Sequence, residues 1–572
     1  MSIAVNLEKE VYKEFVPRIN SNTTDTDNKL QDAYSLELLT GKEVFELLSK
    51  SRFQSEWDAL YDSCSWATIF QSRGFVTGWY QVYKEVHLPI IIKATKSGRL
   101  SGLLTMTLLD GVIKTNSKRI SGAGHFDAVY QTWLAIPADK ESFIEQALTV
   151  LMNRFPSVPV SFRYLPPETP LDWMKNSKKW RNRGILQPYS RPLINLKDED
   201  IPKMSSRNHF KSKFNRLKKS GEVKFERVHD VEAFSNSLDD VAALYDFRQG
   251  AMFNKNHFGN DPLKKDFLLE MLRQQLLHVS VLKVNGSILA AIASLAGKHS
   301  VHLSGFICHS PFGSKFNSPG YLHFVLLSKL LAEEQYHYFD LTPGYDSYKE
   351  QFANLHDEVF EWTLSNKPAF RLKKRVRKWA HGRMVRAGIR PMSAELNVKK
   401  FFYRLRNRSI SSHYKKWVSL LTKKNKQQLY SIPPANLSTP ELPIVVQRNN
   451  LHDLLQFNTD KRAGLTRWDF TSDALYRLSK GEYCFTWVED NRLLGCAWLN
   501  RPDTFAAQND AAANETILLQ NIYCHPSAKN RIQPFLETVA MMAVDRKVTT
   551  RIQFSTKEKQ VCKALEAAGF TK

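Results

Sequence analysis

The sequence predicts an α/β (α+β) chain of three lobes, each a mixed, mostly antiparallel sheet flanked by helices. Three observations lead there. Segments with strand-like alternation, rich in Val, Ile, Phe and Thr, trade places with segments spaced for helices along most of the 572 residues. The turn Asn285-Gly286, between HVSVLKV and SILAAIASLAG, is a strong two-residue hairpin signal. The length exceeds what one hydrophobic core supports and points to three or four domains.

Taken in order, residues 1–34 (with NSNTTDTDNKLQD) are polar and read as a flexible N-terminal segment. Residues 35–200 form a first lobe, helix-like at 53–60 and 141–154 and β-rich at 89–94, 100–109 and 160–164. The second lobe, 201–370, follows with three antiparallel strands through HVSVLKV, SILAAIASLAG and SVHLSGFIC. After the turn Ser318-Pro319-Gly320 come an apolar helix, YLHFVLLSKLLAEEQ, and a short strand, YHYFDLT. Residues 371–430 read as a basic helical connector. The third lobe, 431–572, opens on a Pro-rich spacer and repeats the grammar: a hairpin around 489–492, the strand ETILLQNIYCHP, a helix near 534–544, a strand at 550–555 and a last helix before Gly569-Phe570.

The charge is unevenly placed. The formal net charge of +24 comes from 81 Lys+Arg against 57 Asp+Glu, yet residues 371–426 hold 19 basic residues and one acid, Glu395, a net +18. Within that segment Leu372, Val376 and Trp379, then Val398, Phe401, Phe402 and Leu405, recur at helical spacing, predicting two amphipathic helices with basic flanks. Such a segment suits an anionic membrane or an acidic glycan; a solvated linker pair docked on its neighbours fits the same spacing. Nucleic acid ranks last, because no helix-turn-helix, zinc-finger or RNP pattern accompanies the charge.

Several classes are excluded. Six cysteines without a Cys-x-x-Cys pair argue against a disulfide framework or a zinc site, and favour a reducing compartment. No metal site is expected. The first fifteen residues carry charges where a signal peptide has its apolar core, and no run approaches the roughly 18–20 apolar residues of a membrane span. The expected location is the cytoplasm, with peripheral contact at the inner face of the membrane through 371–426. Walker, His-Glu-x-x-His and Gly-x-Ser-x-Gly patterns are lacking, and Gly122-x-Gly124 is too short for a dinucleotide fingerprint.

The motifs carry a family resemblance. Ser318-Pro319-Gly320 opening a helix, then Tyr338-Phe339-Asp340, Gly344 and Tyr348-Lys349-x-x-Phe352, resembles the second lobe of the CelD/BcsL-type acyltransferases. These belong to the GNAT superfamily and are related to the Fem-type peptidoglycan transferases. Phe53-x-x-x-Trp57, Thr68 to Ser72 and Trp79 resemble that family's opening, and Arg207 through Arg216 with Arg248 its basic start of lobe two. The resemblance covers roughly residues 50–370 and implies tandem GNAT-like lobes, an acyl-CoA co-substrate (acetyl-CoA or another) and transfer to an amine or hydroxyl, often in exopolysaccharide or cell-envelope biosynthesis; a sugar-linked acceptor is one of those it allows, and it does not fix which. Alternatives are a Fem-type transferase using aminoacyl-tRNA and a non-catalytic scaffold of a polysaccharide assembly. Lobe three resembles a further GNAT-like domain through Ile522-Tyr523-x-His525-Pro526, but at its phosphate loop it reads Lys529-Asn530-Arg531-Ile532 with no glycine. Side chains there obstruct a backbone phosphate cradle and argue against CoA binding by this lobe.

Acyl transfer requires a deprotonated acceptor, a held oxyanion and a protonated leaving thiolate. Asp340, at a strand end where a sheet presents side chains to a cleft, is the candidate to orient or deprotonate the acceptor, with capping of the next turn equally open. Tyr345 and Tyr348 are candidate proton donors, or packing residues beside a glycine, and Lys349 a holder of phosphate or of an anionic acceptor. Ser318, Gly320 and Tyr321 are the expected CoA contacts at the helix entry. Arg207, Arg216, Arg248 and His302 are the expected substrate-binding residues. His302, mid-strand, ranks below Asp340 as a base.

Overall fold

The computed structural model describes residues 34–109, 118–312, 318–407, 427–437, 444–459, 465–500, 515–544 and 549–572. The expected lead-in up to residue 33 and the 408–426 part of the basic segment lie outside the described residues.

Lobes one and two belong to a single thirteen-stranded sheet. The first contributes β1 (Tyr34–Thr40), β2 (Leu88–Lys96), β3 (Arg99–Leu109), β4 (Arg119–Gly122), β5 (Leu134–Ala135), β6 (Val160–Leu165) and β7 (Gly184–Asn195). The second adds β8 (Val223–Val228), β9 (Leu277–Val284), β10 (Ser287–Ala296), β11 (Ser300–His309), β12 (Tyr338–Asp340) and β13 (Leu355–Leu364). Their order is β1-β2-β3-β4-β6-β13-β7-β12-β11-β10-β9-β8, with β5 beside β3.

Two strands are exchanged in this order. β13, the last strand of this sheet in chain order, pairs antiparallel with β6 of the first lobe, while β7 pairs antiparallel with β12 of the second. The exchanged strands pair with each other from Leu355↔Leu193 to Leu364↔Gly184. The divide expected near residue 200 therefore separates the lobes in sequence but not in space.

The helices follow their apolar spacing. In α1 (Ser51–Ser63) and α2 (Arg73–Tyr83), Phe53, Trp57, Leu60, Phe75, Val76 and Trp79 are buried. Ser72 caps α2 by accepting from the Phe75 N–H at 3.3 Å. The helix α3 (Ser142–Arg154) joins a separate core with Ile90, Ile92 and Trp133. The second lobe holds α4 (Asn208–Lys218), α5 (Val231–Phe253), α6 (Lys264–Arg273), α7 (Pro319–Glu333) and α8 (Ser347–Phe352). In α7, Leu322, Leu327 and Leu331 are completely buried, each contributing about 1.5–3 kcal/mol of hydrophobic stabilisation.

The basic connector forms α9 (Pro368–Arg386) and α10 (Pro391–Asn407), the two helices its periodicity predicts. Lobe three then builds a six-stranded sheet from β14 (Gln428–Ile432), β15 (Val446–Arg448), β16 (Tyr483–Glu489), β17 (Arg492–Asn500), β18 (Glu515–Cys524) and β19 (Thr549–Thr556), in the order β14-β19-β18-β17-β16-β15. Its helices are α11 (Arg467–Ser479), α12 (Ile532–Ala543) and α13 (Lys559–Ala567). Lobe three docks on lobe two through α11, where Trp468 Nε1 and Ser472 Oγ both donate to the Ala251 carbonyl near the end of α5, at 3.1 and 2.8 Å.

Candidate functional site

Among the described residues each lobe contains one pair of parallel strands, and in lobes one and two the ladder is short. In lobe two, β11 and β12 pair only through Ser300↔Tyr338, Val301↔Phe339 and His302↔Asp340. Beyond that point β11 runs on to His309 beside β10 alone, so a wedge opens on its other edge. In lobe one, β4 and β6 pair only at Ile120↔Val160 and Ser121↔Ser161. That wedge is closed by Gln131, 2 % exposed. Its Oε1 accepts from the N–H groups of Gly122 (3.2 Å) and Arg163 (2.9 Å), and its Nε2 donates to the His125 carbonyl at 2.8 Å. A Cβ on Gly122 would lie 2.8 Å from the Gln131 side chain, so glycine is required for this closure.

Asp340 sits at the apex of the lobe-two wedge and does not face a cleft, contrary to the sequence expectation. It is 1 % exposed. Its Oδ2 accepts from the Tyr130 hydroxyl at 2.6 Å and from His302 Nδ1 at 2.9 Å, and its Oδ1 accepts from the Thr342 N–H at 2.7 Å. Arg191 Nη1 lies 3.6 Å away, and Arg191 also holds Asp357, with Nε to Oδ1 at 2.6 Å. Burial pushes the Asp340 carboxyl up, but His302, Arg191 and Tyr130 together outweigh it and hold the pKa below the usual carboxylate value. The Thr342 bond is the turn cap foreseen as an alternative. The remaining partners come from β7, β11 and lobe one, so the carboxylate fastens the seam between lobes. His302, 4 % exposed, is equally enclosed, with Phe70 and Tyr130 packed around its ring at 5.4 and 5.5 Å.

The open end of the wedge is lined differently. Arg248 of α5 bonds Nε2 of His309, and among the described residues it pairs with no carboxylate. Burial lowers its pKa, and the phenols of Tyr348 and Tyr245 are near enough to act on its charge. His309 is pushed down to about 4 by burial and by Arg248, so it is neutral at pH 7 and accepts through Nε2. Its ring rests on the start of α7: a Cβ on Gly320 would come within 3.2 Å of His309 Cδ2. Ser318 precedes that helix in the left-handed region, with φ 47°, and its hydroxyl accepts from Lys213 Nζ at 2.7 Å instead of capping the helix. Pro319 has no N–H, and among the described residues nothing accepts from the N–H groups of Gly320 and Tyr321. A guanidinium, an ammonium and free backbone donors thus meet at the positive end of a fifteen-residue helix, an arrangement suited to anions.

The other expected residues divide between this end and the framework. Tyr348 lies next to Arg248, and burial, with Asp346 second, raises its pKa and keeps the phenol protonated. Tyr345 lies beneath the connector, 5.8 Å from the ring of His381. Lys349 is 5 % exposed, and its ammonium donates to the Thr342 carbonyl and hydroxyl at 2.9 and 3.0 Å. These bonds tie it to the loop after Asp340. Tyr321 stacks on Phe352 at 5.7 Å and meets His209 edge-on at 4.9 Å. Arg207 and Arg216 are exposed on or beside α4. His309, Tyr130, Arg191 and Gln131 were not singled out from the sequence; each lies in a strand or loop where nothing local marks it.

Among the described residues, the helix of lobe three that follows the strand β18 starts differently. A 3-10 turn, Pro526–Arg531, runs directly into α12. Arg531 forks onto Glu489 at 2.9 and 2.6 Å, occupying the position of the missing glycine loop.

Residues 204–350 match the sequence model of an acetyltransferase (GNAT) domain. The match takes in Arg248, His309, the start of α7, Asp340 and Tyr348, and excludes Tyr130 and Arg191. Lobe two is thus an acyltransferase-type domain in a mixed α/β fold. No curated protein matches the chain by sequence. Among solved structures the chain is similar to FemX, with 11 % identity over 56 % of this chain and 98 % of that one at a TM-score of 0.38. It is also similar to a tandem GNAT protein from the clavulanic acid biosynthesis pathway, at 11 % identity, 59 % and 99 % coverage and a TM-score of 0.36. A third is L-PGS from Bacillus licheniformis, at 12 % identity, 49 % and 85 % coverage and a TM-score of 0.35.

Proposed function

We propose that the protein is an acyl-CoA-dependent N- or O-acyltransferase whose chemistry runs in the open wedge of lobe two. The observation that carries this reading is Arg248, a largely buried cation with no carboxylate partner among the described residues, fixed by neutral His309 beside the free N–H groups of α7. A buried charge without a counter-ion is costly in the unliganded protein. The diphosphate of CoA supplies that counter-ion, with Lys213 and the backbone of Gly320 and Tyr321 beside it. The thioester then lies along the free edge of β11.

In the transfer, the acceptor nitrogen or oxygen bonds to the thioester carbonyl carbon and loses its proton to solvent. The C–S bond breaks, and the departing thiolate takes a proton from Tyr348. The phenolate left behind takes back a proton from solvent, equal to the one the acceptor released, and its raised pKa favours that return. Asp340 and His302 act in this reading as positioning residues that set the wedge apex. The resemblance to exopolysaccharide and envelope acyltransferases supports a sugar-linked amine or hydroxyl as the acceptor.

Calorimetric titration of the full-length protein with acetyl-CoA tests the donor site. Saturable binding is expected, weakened in Arg248→Met by about tenfold to a hundredfold, the worth of a charge-assisted phosphate contact. Absence of binding to any acyl-CoA, or transfer that requires aminoacyl-tRNA instead, overturns the reading.

A further inference from the structure

Helices α9 and α10 leave uncovered an apolar stripe that the lobe-two chemistry does not use. Leu372, Val376 and Trp379 on α9, and Val398, Phe401, Phe402 and Leu405 on α10, are each between 52 and 64 % exposed. Single exposed hydrophobic residues are ordinary, but such a set on consecutive helices marks a contact surface. Other side chains of the pair are anchored to the body. Lys374 bonds Glu361 at 3.0 Å, Arg375 donates to the Asn182 carbonyl at 3.3 Å, and His381 packs on Tyr189 at 5.0 Å. Arg390 bonds Asp346, and Arg404 bonds Asp469 at 2.7 Å. These ties fix the pair on the protein and leave the stripe outward.

The charges around the stripe identify its partner. Lys373, Lys378, Arg383, Arg386 and Arg406 are exposed, and none has a carboxylate partner among the described residues. The single acid on the two helices, Glu395, is already shared by Arg377 and Lys399. Nucleic acid would satisfy these cations but leave the Trp, Phe and Leu side chains in water. An anionic bilayer answers both: aromatic and aliphatic side chains enter the interface while flanking Lys and Arg meet headgroups. Among the described residues no helix is long and apolar enough to cross a membrane, so the contact is peripheral.

We propose that α9 and α10 form a docking face for an anionic lipid bilayer. The inference stands apart from the acyl-CoA reading and is decided without any assay of transfer. Full-length protein is floated with phosphatidylcholine vesicles made with and without phosphatidylglycerol. Recovery with the anionic vesicles is expected to exceed that with neutral ones by about tenfold at low salt, and to fall steeply toward about 1 M salt, where screening shortens to about 3 Å. Trp379→Ser with Phe401→Ser and Phe402→Ser, and separately Lys373→Glu with Lys378→Glu and Arg383→Glu, should each abolish flotation. Because these positions are exposed, the melting temperature should stay unchanged. Equal recovery with both vesicle types, none with either, or full retention in either variant overturns the proposal. Binding to a soluble polyanion such as heparin without flotation also overturns it.

Discussion

Replacing Asp340 by Asn separates a turn cap from a fastener between lobes. The shape is preserved, and Oδ1 still accepts from Thr342, so a cap alone would lose little. At the other position an NH2 group replaces the oxygen that accepts from Tyr130 and His302 and lies 3.6 Å from Arg191. Two donors lose their acceptor in a buried site, at about 1–1.5 kcal/mol each, and the Arg191 charge loses one of its two counter-ions. Breaking a buried pair outright costs about 3–5 kcal/mol. Arg191 keeps Asp357, so the expected loss is about 3 kcal/mol. Tyr130→Phe should cost about 1–1.5 kcal/mol, and in the double variant the effects should fall short of additivity, because both remove the same bond. Urea unfolding followed by fluorescence reads this as an earlier first transition, since a chain of several lobes is not expected to unfold in one step. Acetyl-CoA should still raise the melting temperature of Asp340→Asn, because the donor site we propose lies at the other end of β11. A loss below about 1 kcal/mol, with additive effects, would reduce Asp340 to the turn cap.

Other consequences are equally open to measurement. Gln131→Ala removes the acceptor from the buried N–H groups of Gly122 and Arg163 and should cost about 2–4 kcal/mol without altering acyl-CoA affinity; a change in affinity would mean that lobe one also binds the donor. His309 and the wholly buried His323, pushed down to about 4 and about 3 by burial, are neutral in the folded chain. As pH falls below about 6.5 the unfolded chain takes up protons that these groups refuse, so stability should decline from about pH 6.5 toward pH 4, and His323→Gln should flatten that slope. An unchanged slope in the variant would assign the acid sensitivity elsewhere. Gly320→Ala places a methyl group 3.2 Å from His309 Cδ2 and should weaken acyl-CoA binding about tenfold through a displaced Arg248, with about 1 kcal/mol lost in stability; unaltered binding would detach His309 from the donor site.

Much of the fold is legible in local patterns. The three antiparallel strands β9 to β11, the helices α7, α9 and α10 and the hairpin at Glu489 to Arg492 each follow from apolar period and turn residues, because neighbours in the chain are neighbours in the structure. The exchange of β7 and β13 is not. β7 contains Pro188 and Pro192, which argue against a strand inside a sheet, yet β12 reaches only Leu193 to Asn195, so neither proline lies opposite it. Asp340 stands out in the sequence only as the end of a short strand, and its environment depends on Tyr130, 210 positions earlier, and on Arg191. No local signal reports partners at that distance.

The asymmetry between lobes one and two follows from what each places in the gap between its parallel strands. Lobe one fills it with Gln131, whose amide takes up the backbone groups that a ligand would otherwise meet. Lobe three differs at the start of its helix instead, where a helical turn runs straight into α12 and Arg531 engages Glu489 at the end of β16. In lobe two the strand pair is fastened at its apex by Asp340, and the far end is left with a cation and backbone donors that nothing in the described protein neutralises. Such a site is disfavoured in the empty protein and is relieved by an anionic ligand, which is the energetic signature of binding rather than of structural support. The sealed lobe one serves the same end, because β13 joins its sheet and β7 carries Arg191 to the apex. Lobe one, closed by Gln131 at its own wedge, is thereby built into the wall of the lobe for which we propose donor binding.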